Sequence, residues 1–306
     1  MRRGGNFSRK AALWRKIIDN SAEICYTVTN GGRGRVPRAE NGDGQTMAYT
    51  FISGATGGIG KAFAEACAAR GDDLFLTGRS AEKLAALEGE LRAAYKGEVL
   101  VCACDLSDAA DRARLLAFAD QKGARFSRAV HVAGVDIQKA FCDYTEEKVL
   151  LQLRVNGEAT IALTHALLKR GAPMEEIIVI SSMSGVTPMP YFALYSATKR
   201  MLISFFTALR LERKGQTRIT TVLPGGVYTR PDIVRDIENQ GIWGKLSAKT
   251  PGYVAEKSLK AARKNKAVYI PGFFNKFLNF VMKIVPKSIS MRFIAHRWKK
   301  QTKDAF

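Results

Sequence analysis

YTFISGATGGIGKAFAEACAARG, residues 49–71, passes from a strand pattern to a helix pattern across a glycine-rich turn. Its first seven residues are apolar and rich in β-propensity, which predicts a buried strand. From Gly58 onward the apolar residues recur at helical spacing until Gly71 closes the run. Between the two lies a turn carrying Gly54, Gly58 and Gly60, with Thr56 and Ile59 inside it. Glycines at such a turn permit a tight reversal, close backbone approach to a pyrophosphate and close helix packing. The helix that follows offers its unpaired N–H groups to phosphate oxygens. The spacing is G-x-x-x-G-x-G rather than G-x-G-x-x-G. The turn nevertheless joins a first strand to a first helix, where a nucleotide is expected.

The same alternation continues outward. DLFLTGR, EVLVCACDL, RAVHVAGV, EIIVISS, RITTVLPGG and KAVYIPG each predict a strand. Helices fall between them: one opening at Ser80, one from about Thr145 to Arg170, and one from Phe192 to Lys214 free of Gly and Pro. Apolar strands alternating with helices predict an α/β fold, a doubly wound parallel sheet of about seven strands covered on both faces. There is no internal repeat, and no linker divides residues 47–270. The chain of 306 residues, 46% hydrophobic and 25% charged, suits one such domain with appendages. The five cysteines carry no zinc spacing and read as reduced core thiols, so no metal is expected. No apolar run approaches the roughly 18 residues a membrane span needs.

The formal charge of +20 is unevenly placed. Residues 1–46 hold nine Lys/Arg and four Asp/Glu, residues 47–270 hold 31 and 23, and residues 271–306 hold eight and one. Over half of the excess therefore lies at the two ends. Residues 1–46 have little apolar content and no core face, and are read as a disordered leader. Met47 stands directly before the first strand, so translation from Met47 is the expectation, with an organellar presequence as the rival. An intact mass that includes the first 46 residues would reject the Met47 start. The C-terminal tail, 273–306, begins with FFNKFLNFVMKIV, which places its apolar residues on one broad arc of a helix and Asn275, Lys276, Asn279 and Lys283 opposite. Such a segment suits peripheral contact with an anionic membrane through 273–300. Packing on its own domain, on a partner subunit or over the substrate pocket is equally compatible. No nucleic-acid recognition motif accompanies the basic charge, so no nucleic acid is expected.

Beyond the glycine turn, the chemistry gathers in three places. The second strand ends in LTGRS. An acid there would accept a ribose 2′-OH, and Arg79 instead suits a 2′-phosphate. Asp105, after the third strand, could accept from an adenine amino group or serve as an N-terminal acid of the next helix. In YSATK, Tyr195 and Lys199 lie one helical turn apart on one face. A lysine cation beside a phenol is expected to lower its pKa and equip it for proton transfer.

With these motifs in order, residues 49–272 resemble the short-chain dehydrogenase/reductase family. Gly54, Gly58 and Gly60 match its glycine motif, with Ser53 where Thr is usual. HVAG keeps Ala133 and Gly134 of the family's NNAG but replaces both asparagines with His131 and Val132, so the strand bracing must differ. Asn156 matches the helix asparagine, Ser182 the serine thirteen residues before the tyrosine, and Tyr195 and Lys199 the Tyr-x-x-x-Lys pair. Pro224 and Gly225 match the motif after the sixth strand, and Thr229 the threonine that contacts the nicotinamide amide. The resemblance implies catalytic roles for Asn156, Ser182, Tyr195 and Lys199. Ser182 and Tyr195 would hold the substrate oxygen, Tyr195 would pass the proton, Lys199 would hold the nicotinamide ribose, and Asn156 would position a water. Arg79 points to NADP(H) in preference to NAD(H), the reduced cysteines to a cytoplasmic enzyme, membrane-associated if the tail docks, and a homo-oligomer is expected.

Met183, Tyr191 and Trp243 are the expected substrate contacts, with Met189, Pro190, Ile233, Ile237 and Leu246 beside them. Their apolar character favours a hydrophobic ketone, steroid-like or 3-oxoacyl. The alternative is a non-catalytic NADP(H) sensor on the same fold, although a sensor would need no proton donor.

Overall fold

The computed structural model describes residues 48–170, 173–239 and 241–299. The chain divides into two units at Thr46/Met47, and every described residue belongs to the second. The leader and the proposed start at Met47 lie outside the described residues.

Seven strands form one parallel sheet: β1 (Tyr49–Ser53), β2 (Leu74–Gly78), β3 (Val99–Ala103), β4 (Phe126–His131), β5 (Glu176–Ile180), β6 (Arg218–Val222) and β7 (Val268–Tyr269). Their spatial order is β3-β2-β1-β4-β5-β6-β7. The chain thus winds outward one way from β1 and then returns to wind the other way from β4. The crevice between the carboxyl ends of β1 and β4 is the switch point at which open α/β sheets bind ligands.

Helices cover both faces. They are α1 (Gly58–Ala68), α2 (Ala81–Ala94), α3 (Ala109–Gln121), α4 (Glu146–Leu153), α5 (Ala159–Lys169) and α6 (Ala193–Glu212), followed by α7 (Pro231–Asn239), α8 (Gly241–Ser247), α9 (Pro251–Arg263), α10 (Phe273–Ile284) and α11 (Lys287–Trp298). Side-chain caps set several of their starts, those at Ser80 and Thr145 where the sequence leads one to expect them. The Ser80, Asp108, Thr145 and Thr250 side chains each accept a backbone N–H from the first turn. Two apolar clusters fill the layers. Phe51, Phe75, Phe126 and Phe206 pack on one face of the sheet, and Phe63, Leu74, Leu76 and Leu91 on the other.

The long helix expected from Thr145 to Arg170 is present, α4 running into α5 through a π turn at Arg154–Glu158, and Asn156 sits in that turn. Wide turns of this kind occur at functional sites. Two expectations are corrected. Cys67, Cys102 and Cys104 are buried, but Cys142 is exposed on the Phe141–Asp143 turn. The apolar arc of α10 is split: Phe274 and Val281 are partly covered, while Phe273, Phe277, Phe280 and Ile284 face outward. The residue turned fully inward is the polar Asn275, which donates to the Ser247 and Pro271 carbonyls. Among the described residues no helix is long and apolar enough to cross a membrane.

Candidate active site

The glycine turn closes against the start of the β4 loop. Gly54 has φ +69°, and a Cβ there would stand 2.8 Å from the backbone of Ala133. A Cβ on Gly60 would lie 2.0 Å from the Gly54 carbonyl oxygen, so only glycine lets α1 start this close to β1. A Cβ on Gly58 would meet Thr229 at 3.0 Å, which brings the segment after β6 to the glycine turn. Gly78, immediately before the exposed Arg79, packs on Thr56. Residues distant in sequence, Thr56, Gly58, Arg79, Ala133 and Thr229, thus share one rim of the switch-point crevice.

Asp105 accepts from the Ser107 amide at 2.9 Å and the Ser107 hydroxyl at 2.7 Å, so it shapes the turn ahead of α3. The N-cap of that helix is Asp108, so of the two roles open to Asp105 that of the helix's N-terminal acid falls to Asp108.

The loop after β4, where the NNAG asparagines are lost, is braced by other side chains. Asn156 accepts from the Val135 amide at 2.7 Å and donates back to the Val135 carbonyl at 2.9 Å. Gln152 donates to the same carbonyl at 3.2 Å, and the Ser53 hydroxyl accepts from the Val132 amide at 3.3 Å. Asn156 also donates to the Thr198 hydroxyl at 3.2 Å, tying the π turn to α6. His131 is buried against Phe51 and Phe206, and Nε2 lies 3.0 Å from the Thr164 hydroxyl. That hydroxyl gives its proton to the Thr160 carbonyl, so His131 Nε2 carries the hydrogen and donates. Burial pushes this imidazole down to about 4. It is a neutral core residue.

Ser182 follows β5 and caps the short turn Met183–Gly185, accepting from the Ser184 amide at 3.1 Å. The Met183 amide donates to the Pro224 carbonyl at 2.9 Å, and the Ser181 hydroxyl donates to the Lys199 carbonyl at 2.8 Å. The end of β5 is thereby pinned to both the Pro224-Gly225 segment and α6. Lys199 is buried. Its ammonium donates to the Ile180 carbonyl at 3.0 Å, lies 3.2 Å from where a Cβ on Gly134 would stand, and sits 5.6 Å from the centroid of the Tyr195 ring. Burial pushes Lys199 down to about 8, against the opposing pull of the Asp136 carboxylate.

The expected acidification of Tyr195 is corrected. Burial raises its pKa, the Asp136 charge raises it further, and only a hydrogen bond with Ser182 pulls it down. The Lys199 charge faces the ring and the Ile180 carbonyl, so the phenol remains a proton donor.

Several residues of this site were not legible in the sequence. Phe192 stacks on Tyr195 at 4.2 Å, and Trp298, at the end of α11, stacks on Phe192 at 5.9 Å. Arg230 bridges Asp136, in the loop after β4, and Asp232, at the start of α7. The cleft beside it, about 460 Å³, is lined by Tyr228, Thr229, Arg230, Pro231, Val234 and Arg235. Of the expected substrate contacts, Met183 and Tyr191 are partly buried near Ser182 and Tyr195 in sequence, and Tyr191 holds φ +63°, unusual for a bulky residue. Trp243 is exposed and rests on Phe274 at 5.8 Å, while Ile237 is buried against Gly226.

Comparison with known proteins agrees with this layout. The family model described as short chain dehydrogenase matches residues 48–239. The chain is 26% identical over 269 residues to dehydrogenase/reductase SDR family member 7B of Mus musculus, covering 84% of this chain and 83% of that protein. It is 29% identical over 232 residues to the 7beta-hydroxysteroid dehydrogenase of Collinsella aerofaciens, covering 74% and 87%. A solved structure of a 7beta-hydroxysteroid dehydrogenase superposes with a TM-score of 0.73 at 26% identity, covering 81% of this chain and 96% of that one.

Proposed function

The chain belongs to the short-chain dehydrogenase family, oxidoreductases acting on carbonyl and alcohol groups with a nicotinamide cofactor, and within it we propose an NADP(H)-dependent enzyme that interconverts a bulky hydrophobic ketone and its secondary alcohol. The observation that carries the reading is the buried Lys199 ammonium. It lies among the Tyr195 ring, the Ile180 carbonyl and Gly134, at the carboxyl ends of the central strands.

The crevice suits a dinucleotide, because Cβ atoms at Gly54 and Gly60 would collide with the Ala133 backbone and the Gly54 carbonyl, and one at Gly58 would press on Thr229. Gly54, Thr56, Gly58, Ile59 and Gly60 would hold the pyrophosphate, Arg79 a 2′-phosphate and Asp105 the adenine. Ala133, Gly134, Lys199, Pro224, Gly225 and Thr229 would line the nicotinamide half. NADPH, when bound, supplies the hydride.

The protein supplies the proton and the polarisation. Ser182 donates a hydrogen bond to the substrate oxygen and fixes it beside Tyr195. The Tyr195 hydroxyl, kept protonated by burial, gives its proton to that oxygen as negative charge builds there. Lys199 would hold the nicotinamide ribose beside the Tyr195 ring. Asn156 holds the β4 loop to α6 and so keeps Gly134 against Lys199; its positioning of a water rests on the family resemblance.

Met183, Tyr191, Phe192 and Trp298 give the site an apolar, aromatic border, which favours a steroid-like ring ketone over a polar sugar. The hydroxysteroid dehydrogenase among the relatives supports the same choice, with 3-oxoacyl thioesters as the second substrate class. On this reading the enzyme is a cytoplasmic homo-oligomer with reduced thiols. The test is a panel of ketosteroids, 3-oxoacyl thioesters and small ketones, followed by loss of NADPH absorbance. Turnover fastest on the ketosteroids is expected. Tight NADPH binding with no turnover of any class would favour the sensor reading instead.

A further inference from the structure

The outward stripe of α10 is the least covered apolar surface of the described chain. Phe273 is 86% exposed, Phe277 54%, Phe280 60% and Ile284 65%, at positions i, i+4, i+7 and i+11 on one side of the helix. A second element touches the same helix: Trp243 of α8 rests on Phe274, and Ile242, Trp243 and Leu246 are themselves exposed. Ile289 and Phe293 of α11 are exposed as well. A polypeptide that buries Asn275 and leaves four large apolar side chains of the same helix in water has not used that face for its own core.

The charge around the stripe says what covers it. Lys276, Lys283, Lys287, Arg292 and Lys299 are all exposed, and residues 271–306 hold eight Lys/Arg against one acid. On a helical wheel Lys276 and Lys283 fall on one flank of the stripe. A second copy docking through the same face would bring like charges together. An anionic bilayer would accept aromatic side chains at its interface and pair its headgroups with the lysines.

We propose that the face formed by α8, α10 and α11 docks on an anionic lipid surface. Two α11 positions follow from this. Ile289 and Phe293 meet the lipid, while Trp298 at the helix end stacks on Phe192 and, through it, on Tyr195. A hydrophobic ketone dissolved in the bilayer would then enter beside the aromatic border of the site.

The test uses the full chain and vesicles of phosphatidylcholine, with and without phosphatidylserine. Co-sedimentation should require phosphatidylserine and weaken as salt rises, because screening shortens the reach of the lysines. Phe277→Ser with Phe280→Ser, and separately Lys276→Gln with Lys283→Gln, should each weaken vesicle binding by about tenfold or more. All four side chains are exposed, so melting temperature and NADPH affinity should stay at the parent's values. Equal binding to neutral and anionic vesicles would overturn the proposal, as would absence of binding. So would a change of oligomeric state in the phenylalanine variant, which would make this face a contact between copies. None of these measurements reads turnover, so they stand or fall independently of the ketone assignment.

Discussion

The Lys199 ammonium sits over the face of the Tyr195 ring, 5.6 Å from its centroid, and donates to the Ile180 carbonyl. Two groups on successive turns of α6 are therefore perturbed in opposite senses by burial. The phenol is harder to ionise and the ammonium easier to neutralise. At neutral pH this leaves a protonated donor next to a cation, the arrangement that reduction of a carbonyl requires.

A stability signature follows. Lys199 falls from its ordinary 10.5 to about 8 in the folded protein. Between those values the unfolded chain binds the proton and the folded chain does not, so this group makes stability rise with pH across that window. Below about 8 both states are protonated and its effect is constant. Urea unfolding of the parent and of Lys199→Met should show the parent gaining on the variant between pH 8 and 10.5. A difference that does not change with pH would contradict the burial of a charged lysine.

Asp136 raises both pKa values, and Arg230 holds it. Asp136→Asn should lower the Tyr195 pKa and also lower that of Lys199, shifting the alkaline limb of the rate profile down. Spectrophotometric titration of the phenols in parent and variant checks this directly, and an unmoved Tyr195 would remove Asp136 from the electrostatics of the site.

Arg79→Ala should weaken NADPH much more than NADH. A charge-assisted bond to a 2′-phosphate is worth about 1.5–3 kcal/mol, or one to two decades in affinity. Isothermal titration with both cofactors decides it, and equal losses would end the NADP(H) preference.

At the opposite end of the sheet, Glu176 is buried and accepts from Arg128 at 2.7 Å, while Arg128 also pairs with Asp72. Removing one partner of a buried pair costs about 3–5 kcal/mol, because the other charge is left uncompensated. Glu176→Ala should show a loss of that order by urea unfolding without altering NADPH affinity. A loss below about 1 kcal/mol would mean that Asp72 alone satisfies Arg128.

What could be read from the sequence was local. Seven apolar runs alternating with helices gave every strand of the sheet, because parallel strands buried on both faces need such runs. Gly54 and Gly60 were legible because a turn this tight admits no Cβ. The π turn at Asn156 was not, since Gly157 is the one weak helix former in Arg154–Glu158 and a lone glycine inside a helical pattern does not announce a wider turn. Nor was the stack of Trp298 on Phe192, which joins residues more than a hundred positions apart. The tail was read with its apolar arc as a unit. Asn275 defeats that reading, because carbonyls at Ser247 and Pro271 offer its amide two partners inside.

The central claim is that Tyr195 passes the proton. Its most direct test is steady-state NADPH oxidation by Tyr195→Phe on the best ketone of the panel, with NADPH affinity measured on the same sample. The ring still stacks on Phe192 and only the hydroxyl is lost. Turnover should fall by about 10²–10⁴-fold with NADPH affinity unchanged. Turnover near the parent's value in this variant would contradict it.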